Sequence, residues 1–247
     1  MIPPSDHLHI KTDISPNDKM FTGDREHYFG VGQSALRCIN LSLQAAHQPL
    51  HGVRDILDFA CGHGRVLRYL RAFFPGAEIV ASDMDRDGAD FCARVFGAHA
   101  VYAVEDPASI PLEPYLFDLI WVGSLFTHLD APKWIAFLEF FRRCLRPGGA
   151  LVFTTHGHTT YDWMMRGIVD YGLPEHRAPD VRAGYERQGF GYADYSESQS
   201  WGHSLSSPAW VVNQIVSVNG LRPVHFSERA WDNHQDVYAC IRELEIA

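Results

Sequence analysis

Short apolar runs alternate with segments whose apolar residues recur every three or four positions through the middle of the chain. The runs "DILDFA", "AEIVASD", "HAVYAV", "FDLIWVGSLF" and "ALVFTTH" predict five β-strands. The periodic segments "GRVLRYLRAFF", "DGADFCARVFG" and "APKWIAFLEFFRRCLR" predict helices that end near Pro75, Gly97 and Pro147, and Asp130 is the expected N-cap of the third helix. This order predicts an α/β fold with an open parallel sheet and helices on both faces.

The two ends of the chain extend this pattern. Residues 1–24 are polar and contain proline, so we expect a flexible arm or part of a lid. The segment "REHYFGVGQSALRCINLSLQAA" predicts a turn around Gly30 and Gly32 followed by a helix. Near the C-terminus "SPAWVVNQIVSVNG" predicts a helix with its N-cap at Ser206 or Ser207, and "LRPVHFSERA" and "QDVYACIREL" predict two final strands.

Residues 157–206 interrupt the alternation. They are rich in Gly, Tyr, Ser and His and show no clean period. A connection of this length is usually functional, so we expect a substrate lid, with a self-packed surface subdomain as the alternative. We therefore divide the chain into an N-terminal arm and cap helix, residues 1–52, and a main domain, residues 53–247, which carries this insertion.

Composition narrows the class of protein. Apolar residues make up 46% of the 247 residues, which is typical of a globular protein, and no apolar run is long enough to cross a bilayer. The N-terminus lacks the pattern of a secretion signal, and the five cysteines are scattered, so we expect a cytoplasmic protein with reduced thiols and no membrane partner. The net charge of −9 without a basic stripe argues against nucleic acid as a partner.

The segment "DFACGHGR" places Gly62 and Gly64 between a predicted strand and a predicted helix. Such a turn lets backbone approach a ligand closely and presents helix N-terminal amides to it. Asp83 ends the next strand, about twenty residues later, where an acidic side chain accepts hydrogen bonds from ribose hydroxyls. The sequence therefore predicts a ligand that contains a nucleoside.

Two details separate the candidate ligands. A dinucleotide fingerprint needs a third glycine, where this chain has Leu67. Asp58 also enters the turn, and a carboxylate is unfavourable beside a pyrophosphate but favourable beside a cation. S-adenosylmethionine carries an ammonium, a sulfonium and a carboxylate and has no phosphate, so an acidic turn with exposed amides fits it better.

The sequence resembles the class I S-adenosylmethionine-dependent methyltransferases. "ILDFACGHG" resembles their first motif, with Asp58 as the acidic residue, Gly62 and Gly64 as the second and third glycines, and Ala60 where the first glycine is more common. By the same resemblance Asp83 is the ribose-binding acid. The resemblance covers residues 53–156 well and residues 207–243 in outline. It implies S-adenosylmethionine as the cofactor, bound through the first motif and the acid that follows it.

Further positions follow from the same resemblance. Met84 corresponds to an apolar contact with adenine, and "VEDPASIPL" resembles the third motif, in which Asp106 meets the adenine amino group. "FDLIWVGSLFTHL" resembles the fourth motif and adds Gly123 and Ser124 to the cofactor site. The family's sheet is Rossmann-like, seven-stranded and mostly parallel with an antiparallel last strand, which we assign to "QDVYACI".

The methyl acceptor is expected to be a small molecule. An alcohol or phenol needs a general base, for which we nominate His128, whereas a carboxylate needs none. The residues expected to contact the acceptor come from the aromatic-rich insertion, the end of strand five and the N-terminal segment: Tyr28, His156, Tyr161, Tyr192 and Trp201. His156 and His158 lack evident acidic co-ligands, so we expect no metal, and His63 is expected to be a tolerated residue within the turn.

Other functions remain open at this point. The acceptor can be a protein or another macromolecule, although the signature of exocyclic-amine methylation is absent after strand four. An NAD(P)-dependent oxidoreductase shares the turn and the ribose acid, and a non-catalytic domain can keep the fold. A homodimer is compatible with this fold, and neither the acceptor's identity nor the oligomeric state follows from the sequence.

Overall fold

The structure is a computed structural model and describes residues 8–112, 116–197 and 201–244. Its helices are α1 (Arg25–Ala45), α2 (Leu67–Phe73), α3 (Arg86–Phe96), α4 (Ala131–Cys144), α5 (His158–Met165), α6 (Ala178–Gln188) and α7 (Pro208–Ser217). Its strands are β1 (Asp55–Phe59), β2 (Glu78–Asp83), β3 (His99–Tyr102), β4 (Phe117–Val122), β5 (Leu145–Thr155), β6 (Phe190–Asp194), β7 (Gly202–Ser206), β8 (Leu221–Trp231) and β9 (Gln235–Arg242). No helix of the described residues is both long and apolar enough to cross a membrane.

Seven strands form one sheet in the order β3-β2-β1-β4-β5-β9-β8. The first five pair in parallel, and β9 runs antiparallel to both of its neighbours, β5 and β8. This confirms the predicted mostly parallel sheet and the assignment of the antiparallel strand. The chain order reverses between β1 and β4, and the carboxyl ends of strands at such a reversal form a crevice that binds ligands.

The strand residues alternate between two hydrophobic cores, one on each face of the sheet. Leu57 and Ile120 face a core that contains the aromatic side chains of α4 and part of α7. Ile56 and Leu119 face the opposite core, which contains α1, α2 and α3. The sheet is therefore covered on both faces, which is why β4 lacks polar alternation.

The predicted helix caps lie where the sequence placed them. Asp130 accepts a hydrogen bond from the Lys133 backbone N–H at the start of α4, and Ser207 accepts one from the Trp210 N–H at the start of α7. Gly97 ends α3 in the left-handed conformation. The predicted caps are thus confirmed. They were predictable because a cap depends on only a few adjacent residues.

The turn predicted at Gly30 and Gly32 is wrong, because α1 runs through both residues from its N-cap at Asp24. A Cβ atom at Gly32 would lie 2.3 Å from the Arg65 carbonyl oxygen and 2.6 Å from the Tyr69 ring. Gly32 therefore serves the close packing of α1 against α2 and does not bend the chain.

The insertion has regular structure of its own. It contains α5, α6 and an antiparallel pair formed by β6 and β7, while residues 198–200 lie outside the described residues. Met164, Leu173, Val181 and Leu205 form a small separate core. The sequence pattern missed these elements because each is short and partly exposed. Neither the helical period of three to four residues nor the strand period of two continues long enough to be recognised.

Candidate functional site

The glycine turn joins β1 to α2 at the point where the strand order reverses. Ala60, Gly62 and Gly64 all have positive φ angles, of 59°, 49° and 78°. A Cβ atom at Gly88 in α3 would lie 2.5 Å from the Gly62 carbonyl oxygen, so Gly88 lets α3 lie directly against the turn. The sequence analysis missed Gly88, because its role depends on a contact between distant segments.

Asp83 is tied to this turn by hydrogen bonds. Its carboxylate accepts from the Gly62 N–H at 2.7 Å and from the Asp85 N–H at 2.8 Å. Burial raises the pKa of Asp83. The contact with Gly62 holds a carboxylate at the end of β2, beside the backbone that a nucleoside would approach.

Asp58 is buried at the end of β1, with 1% of its surface exposed. Its Oδ2 atom has no hydrogen-bond partner among the described residues. Burial, and then the nearby charge of Asp83, raise the pKa of Asp58 well above its usual range. A sealed carboxylate oxygen without a donor is unfavourable by itself and becomes favourable when a cation or an N–H group meets it.

A small cavity of about 110 Å³ lies against Asp58, and we call it the polar cavity because Asp18, His63, Arg65 and Ser124 also line it. Five of the predicted cofactor residues line it: Asp58, Ala60, Gly62, Gly123 and Ser124. The Ser124 N–H donates to Thr154 Oγ1 at 2.8 Å, and its hydroxyl accepts from Gln235 Nε2 at 2.9 Å. Strands β5 and β9 thus hold Ser124 in place.

A larger apolar cavity of about 360 Å³ lies on the other side of Ala60. Its lining residues are Phe59, Ala60, Asp83, Met84, Ala103, Val104, Leu125, Phe137 and Trp201. Met84 is 51% exposed there, so it is a cavity residue and does not belong to the core. The cavity has the apolar walls that a purine ring needs, with Asp83 at its edge.

Other predicted residues lie outside these two cavities. Asp106 caps the short turn Pro107–Ser109, where it accepts from the Ala108 N–H and the Ser109 hydroxyl, each at 3.0 Å. Its contact with adenine stays a prediction. Gly64 packs under the turn, where a Cβ atom would lie 2.6 Å from the Phe96 ring.

The N-terminal segment, residues 8–24, packs across the turn. The buried guanidinium of Arg68 in α2 donates to the carbonyl oxygens of Lys11 and Asp13, both at 2.9 Å. Asp18, which lines the polar cavity, accepts a 2.6 Å hydrogen bond from the Tyr28 hydroxyl. Tyr28 is buried beneath the segment and lines neither cavity, so its contact with an acceptor stays a prediction.

His63 has a defined partner within the turn. Its Nε2 lies 3.0 Å from an Asp87 carboxylate oxygen, which also accepts from Asn17 Nδ2 at 2.9 Å. His63 is 4% exposed. The residue connects the turn, α3 and the N-terminal segment, which a freely tolerated position would not do.

His128 follows β4 and lies against the insertion. Its Nδ1 donates to the Gly202 carbonyl oxygen at 3.0 Å and lies 2.9 Å from the Tyr195 hydroxyl. This leaves the lone pair on Nε2, the nitrogen that is able to accept a proton. Burial lowers the pKa of His128, so the ring is neutral near pH 7.

The predicted acceptor residues are spread over the insertion and the end of β5. Trp201 reaches the apolar cavity beside Met84. The Tyr161 hydroxyl donates to Glu186 at 2.5 Å, and the Tyr192 hydroxyl donates to Asp194 at 2.6 Å.

His156 is buried and lies against aromatic rings of the insertion. Within the described residues, no three His, Cys, Asp or Glu side chains are arranged to hold a metal ion.

Comparison with known proteins supports the interpretation of the turn. A family model described as a methyltransferase domain matches residues 56–149. A fatty-acid O-methyltransferase of Mycolicibacterium smegmatis is 32% identical over 111 residues, which cover 44% of this chain and 39% of that protein. A malonyl-[acyl-carrier protein] O-methyltransferase of Hahella chejuensis is 32% identical over 41% of this chain and 36% of that protein. The chain therefore spans about two fifths of the length of these relatives.

Solved structures share the fold. Streptomyces venezuelae DesVI superposes with a TM-score of 0.60 at 14% identity and covers 93% of this chain and 99% of that one. Human N-acetylserotonin methyltransferase in complex with SAM gives a TM-score of 0.55 at 15% identity, over 93% of this chain and 61% of that one. Residues 56–149 thus match a methyltransferase domain in sequence, and the sheet order and these superpositions show that the chain shares the fold of known methyltransferases.

Proposed function

We propose that this protein transfers a methyl group from S-adenosylmethionine to an oxygen or nitrogen of a small molecule. The observation that carries the proposal is the unpartnered Oδ2 atom of Asp58, buried beside a glycine turn and a polar cavity. A positively charged ligand with N–H donors satisfies this oxygen, whereas a pyrophosphate would repel it.

We assign the nucleoside of the ligand to the apolar cavity and its amino-acid end to the polar cavity. We assign Asp83 to the ribose hydroxyls and Met84 with Val104 to the adenine, and their common position in the lining of the apolar cavity supports this assignment. Asp58 and Ser124 line the polar cavity, which suits the charged amino-acid end. Among the predicted cofactor residues, Ala60 borders both cavities and lies between them.

The protein's own contribution to the reaction is chiefly positional. S-adenosylmethionine supplies a methyl group on a positively charged sulfur, which is already an activated leaving group. The surrounding residues hold the two reactants in line and exclude water from them. Where the acceptor carries a hydroxyl, His128 would take its proton through Nε2.

The names of the matched relatives favour oxygen as the methylated atom. Both are O-methyltransferases, one acting on a fatty acid and the other on a malonyl-acyl carrier protein. An acceptor attached to a carrier protein is therefore the second candidate. An oxidoreductase is disfavoured because Leu67, which is fully buried at the start of α2, stands where a dinucleotide site needs its third glycine.

We further propose that residues 1–52 form an arm and cap helix and that the insertion at residues 157–206 is a substrate lid. The cavity contacts of Asp18 and Trp201 support these roles. A cytoplasmic location is supported by five buried cysteines, none of which forms a disulfide in the described part of the chain. The net charge of −9 supports a partner other than nucleic acid.

Calorimetric titration with S-adenosylhomocysteine and with NAD⁺ tests the proposed ligand. The protein should bind the first and not the second, and Asp83→Asn should weaken binding by about tenfold or more, because a hydrogen bond to a charged group is lost. Asp85→Asn is the matched control, since Asn also caps α3 and Asp85 lines neither cavity. Binding of NAD⁺ in preference to S-adenosylhomocysteine would overturn the proposal.

The role of His128 has a separate test. Turnover of His128→Ala across a pH series should be lower by about 100-fold or more if the ring is the general base. In the unsubstituted protein, activity should then fall on the acidic side, where the ring becomes protonated. Turnover equal to that of the unsubstituted protein at every pH removes His128 from the chemistry.

A further inference from the structure

A buried pair of histidines lies at the carboxyl end of β5, outside both cavities. His156 follows the last residue of β5, and His203 lies in β7 of the insertion, with ring centroids 4.9 Å apart. Their side chains are sealed from solvent, and none of their four ring nitrogens has a hydrogen-bond partner among the described residues. Burying so many polar atoms without partners is unfavourable, so the pair is built to meet a polar group that the chain does not supply.

The rings around the pair are aromatic, and the buried Asp236 carboxylate lies beside Gly157, the residue after His156. The Tyr171 ring lies 4.5 Å from that of His156 and 4.8 Å from that of His203, and the His234 ring lies 5.8 Å from that of His156. The ionisable groups that act on the pKa of His156 are His203, His234 and His128, which are histidines and not lysines or arginines. Burial lowers the pKa of His156 and brings that of His203 to about 3. Both rings are therefore neutral near pH 7, and each offers one N–H donor and one acceptor nitrogen.

Two residues close to the pair or its neighbour His234 in the chain are hydrogen-bonded to Ser124. Thr154, two residues before His156, accepts from the Ser124 N–H, and Gln235, next to His234, donates to the Ser124 hydroxyl. Ser124 lines the polar cavity with Asp58. The end of β5 that precedes His156 therefore borders the polar cavity through Ser124.

We propose that the methyl acceptor is a carboxylic acid whose carboxylate receives the N–H groups of His156 and His203. The inference rests on the proposed methyl transfer and names the substrate class for that site. Two donors on adjacent rings match the two oxygens of a carboxylate. Because neither donor is charged, the carboxylate keeps its negative charge and its nucleophilicity.

The alternative acceptors fit this pair less well. A hydroxyl must lose a proton, and the His203 ring, with a pKa of about 3, is too weak a base to take it. With a carboxylate, one oxygen forms a bond to the methyl carbon while the carbon–sulfur bond breaks, and the bonding electron pair stays on sulfur. The products are a neutral ester and a neutral thioether, so no proton has to leave the sealed site.

The insertion takes part directly in this arrangement. His203 and Tyr171 both belong to it, and the Ser206 N–H donates to the His156 carbonyl oxygen at 2.9 Å. The main domain therefore supplies one donor and the insertion supplies the other. Entry of an acceptor requires the insertion to move away from β5, since the pair is sealed as it stands.

The chemical class of the product distinguishes the candidates. The protein is incubated with S-adenosylmethionine labelled with tritium in the methyl group and a small-molecule extract of the cells that produce it. Carboxyl methyl esters release labelled methanol in mild alkali, whereas ethers and methylamines do not. We expect the transferred label to be released by alkali.

Two variants test the residues themselves. His156→Asn and His203→Gln should raise the KM for the extracted acid by about tenfold or more, because a donor to a charged group is lost or misplaced. Their affinity for S-adenosylhomocysteine and their melting temperature report whether the site and the fold remain intact. His99→Gln, on the exposed strand β3, is the matched control and should leave the KM unchanged.

A spectroscopic measurement adds a readout that is independent of turnover. With S-adenosylhomocysteine bound, addition of the purified acid should shift the ring ¹⁵N signals of His156 and His203, and its methyl ester should not shift them. These signals are assigned from the two variants.

The outcomes separate this inference from the proposed function. Absence of S-adenosylhomocysteine binding overturns the methyl-transfer proposal itself. Binding with label that alkali does not release, or with no transfer to any acid in the extract, overturns the carboxylate inference and leaves the proposed function standing. Unchanged KM values in both variants likewise overturn the assignment to the histidine pair.

Discussion

At the scale of single residues, Ala60 is unusual because its φ of 59° lies in the left-handed region at the first position of the turn. The Cβ atom makes this conformation unfavourable, and a glycine would adopt it without strain. Ala60 nevertheless borders both cavities, so a side chain is kept at the point where the two cavities meet.

Ala60→Gly should therefore stabilise the fold. The free energy gained by relief of the left-handed strain exceeds the entropic cost of the more flexible unfolded chain. The net increase in the free energy of unfolding should be about 0.5–1 kcal/mol. Urea unfolding measures the change. Ala81→Gly in the buried strand β2, where φ is not positive, is the control and should lose about 1 kcal/mol. A loss of stability in both variants would show that Ala60 is not strained.

Asp58 illustrates the conflict between stability and binding in one side chain. Its folded pKa is raised above the unfolded value, so the ionised carboxylate costs stability at neutral pH. That cost increases as the pH rises from the unfolded pKa to the folded pKa. No donor among the described residues reaches the Oδ2 atom of Asp58, so a bound cation or N–H group would offset this cost.

Asp58→Asn should consequently raise the melting temperature of the ligand-free protein at pH 7 and weaken binding of S-adenosylhomocysteine by about tenfold or more. Thermal denaturation with and without S-adenosylhomocysteine gives both quantities. Asp55→Asn, at the opposite end of β1, should leave the affinity unchanged. An Asp58→Asn variant that binds as well as the original protein would remove Asp58 from the site.

At the scale of elements, the N-terminal segment depends on α2 for its position. Arg68 contacts the carbonyl oxygens of Lys11 and Asp13, that of Gly64 in the turn, and the Tyr28 hydroxyl in α1. One buried guanidinium thus joins the segment, the glycine turn and two helices.

Arg68→Ala should release residues 8–24 from the turn. We expect faster cleavage of this segment by a protease and weaker binding of S-adenosylhomocysteine, because Asp18 would no longer be held at the polar cavity. Arg71→Ala is the matched control in the same helix, since Arg71 donates to Ala77, Phe96 and Gly97 and not to the segment. Equal protection of the segment in the two variants would contradict this role.

The success of sequence-based prediction varies among the elements for a physical reason. Strands β1 to β5 and helices α3 and α4 each carry a sustained apolar period and a cap or a breaker, so local sequence is sufficient to place them. In α1, Gly30 and Gly32 have the composition of a turn, but packing against α2 overrides it. The elements of the insertion are short and bury few side chains, which leaves little periodic signal.

At the scale of the whole molecule, buried ionisable groups change the free energy of unfolding in opposite directions as the pH falls. Burial raises the pKa of Asp236 at the start of β9 to about 6, so its ionisation lowers stability as the pH rises from about 4 to about 6. His156 and His203 have lowered pKa values, so they lower stability as the pH falls below about 6.5. Stability near pH 6 therefore reflects a partial cancellation.

Asp236→Asn should remove the loss of stability that the ionisation of Asp236 causes. Its melting temperature should exceed that of the original protein at pH 7, and the difference should shrink as the pH falls from about 6 to about 4. Melting curves at several pH values provide the measurement. Asp180→Asn on the exposed surface of α6 is the control and should show no such convergence. A constant difference across the range would show that Asp236 is not the group responsible.

In the candidate site, too, some residues are predictable from the neighbouring sequence, and others are brought there only by packing between distant segments. The glycine turn and the two carboxylates at residues 58 and 83 were predicted from the sequence, because each lies at the end of an apolar strand. The cavity walls at Ala103, Leu125 and Phe137 were missed, because these residues are indistinguishable from ordinary core residues in the sequence. Tyr28 was predicted as an acceptor residue from its position in the sequence, and its burial beneath the N-terminal segment became evident only from packing.

By itself, the sequence determined the order of strands and helices outside the insertion, the position of the glycine turn and the chemical character of the expected ligand. These features follow from apolar period, glycine position and charge, which act over a few neighbouring residues. The tertiary structure alone decided that the N-terminal segment lies on the turn and that His203 meets His156. Such contacts join residues far apart in the chain, and their geometry depends on how the helices and the insertion pack against the sheet.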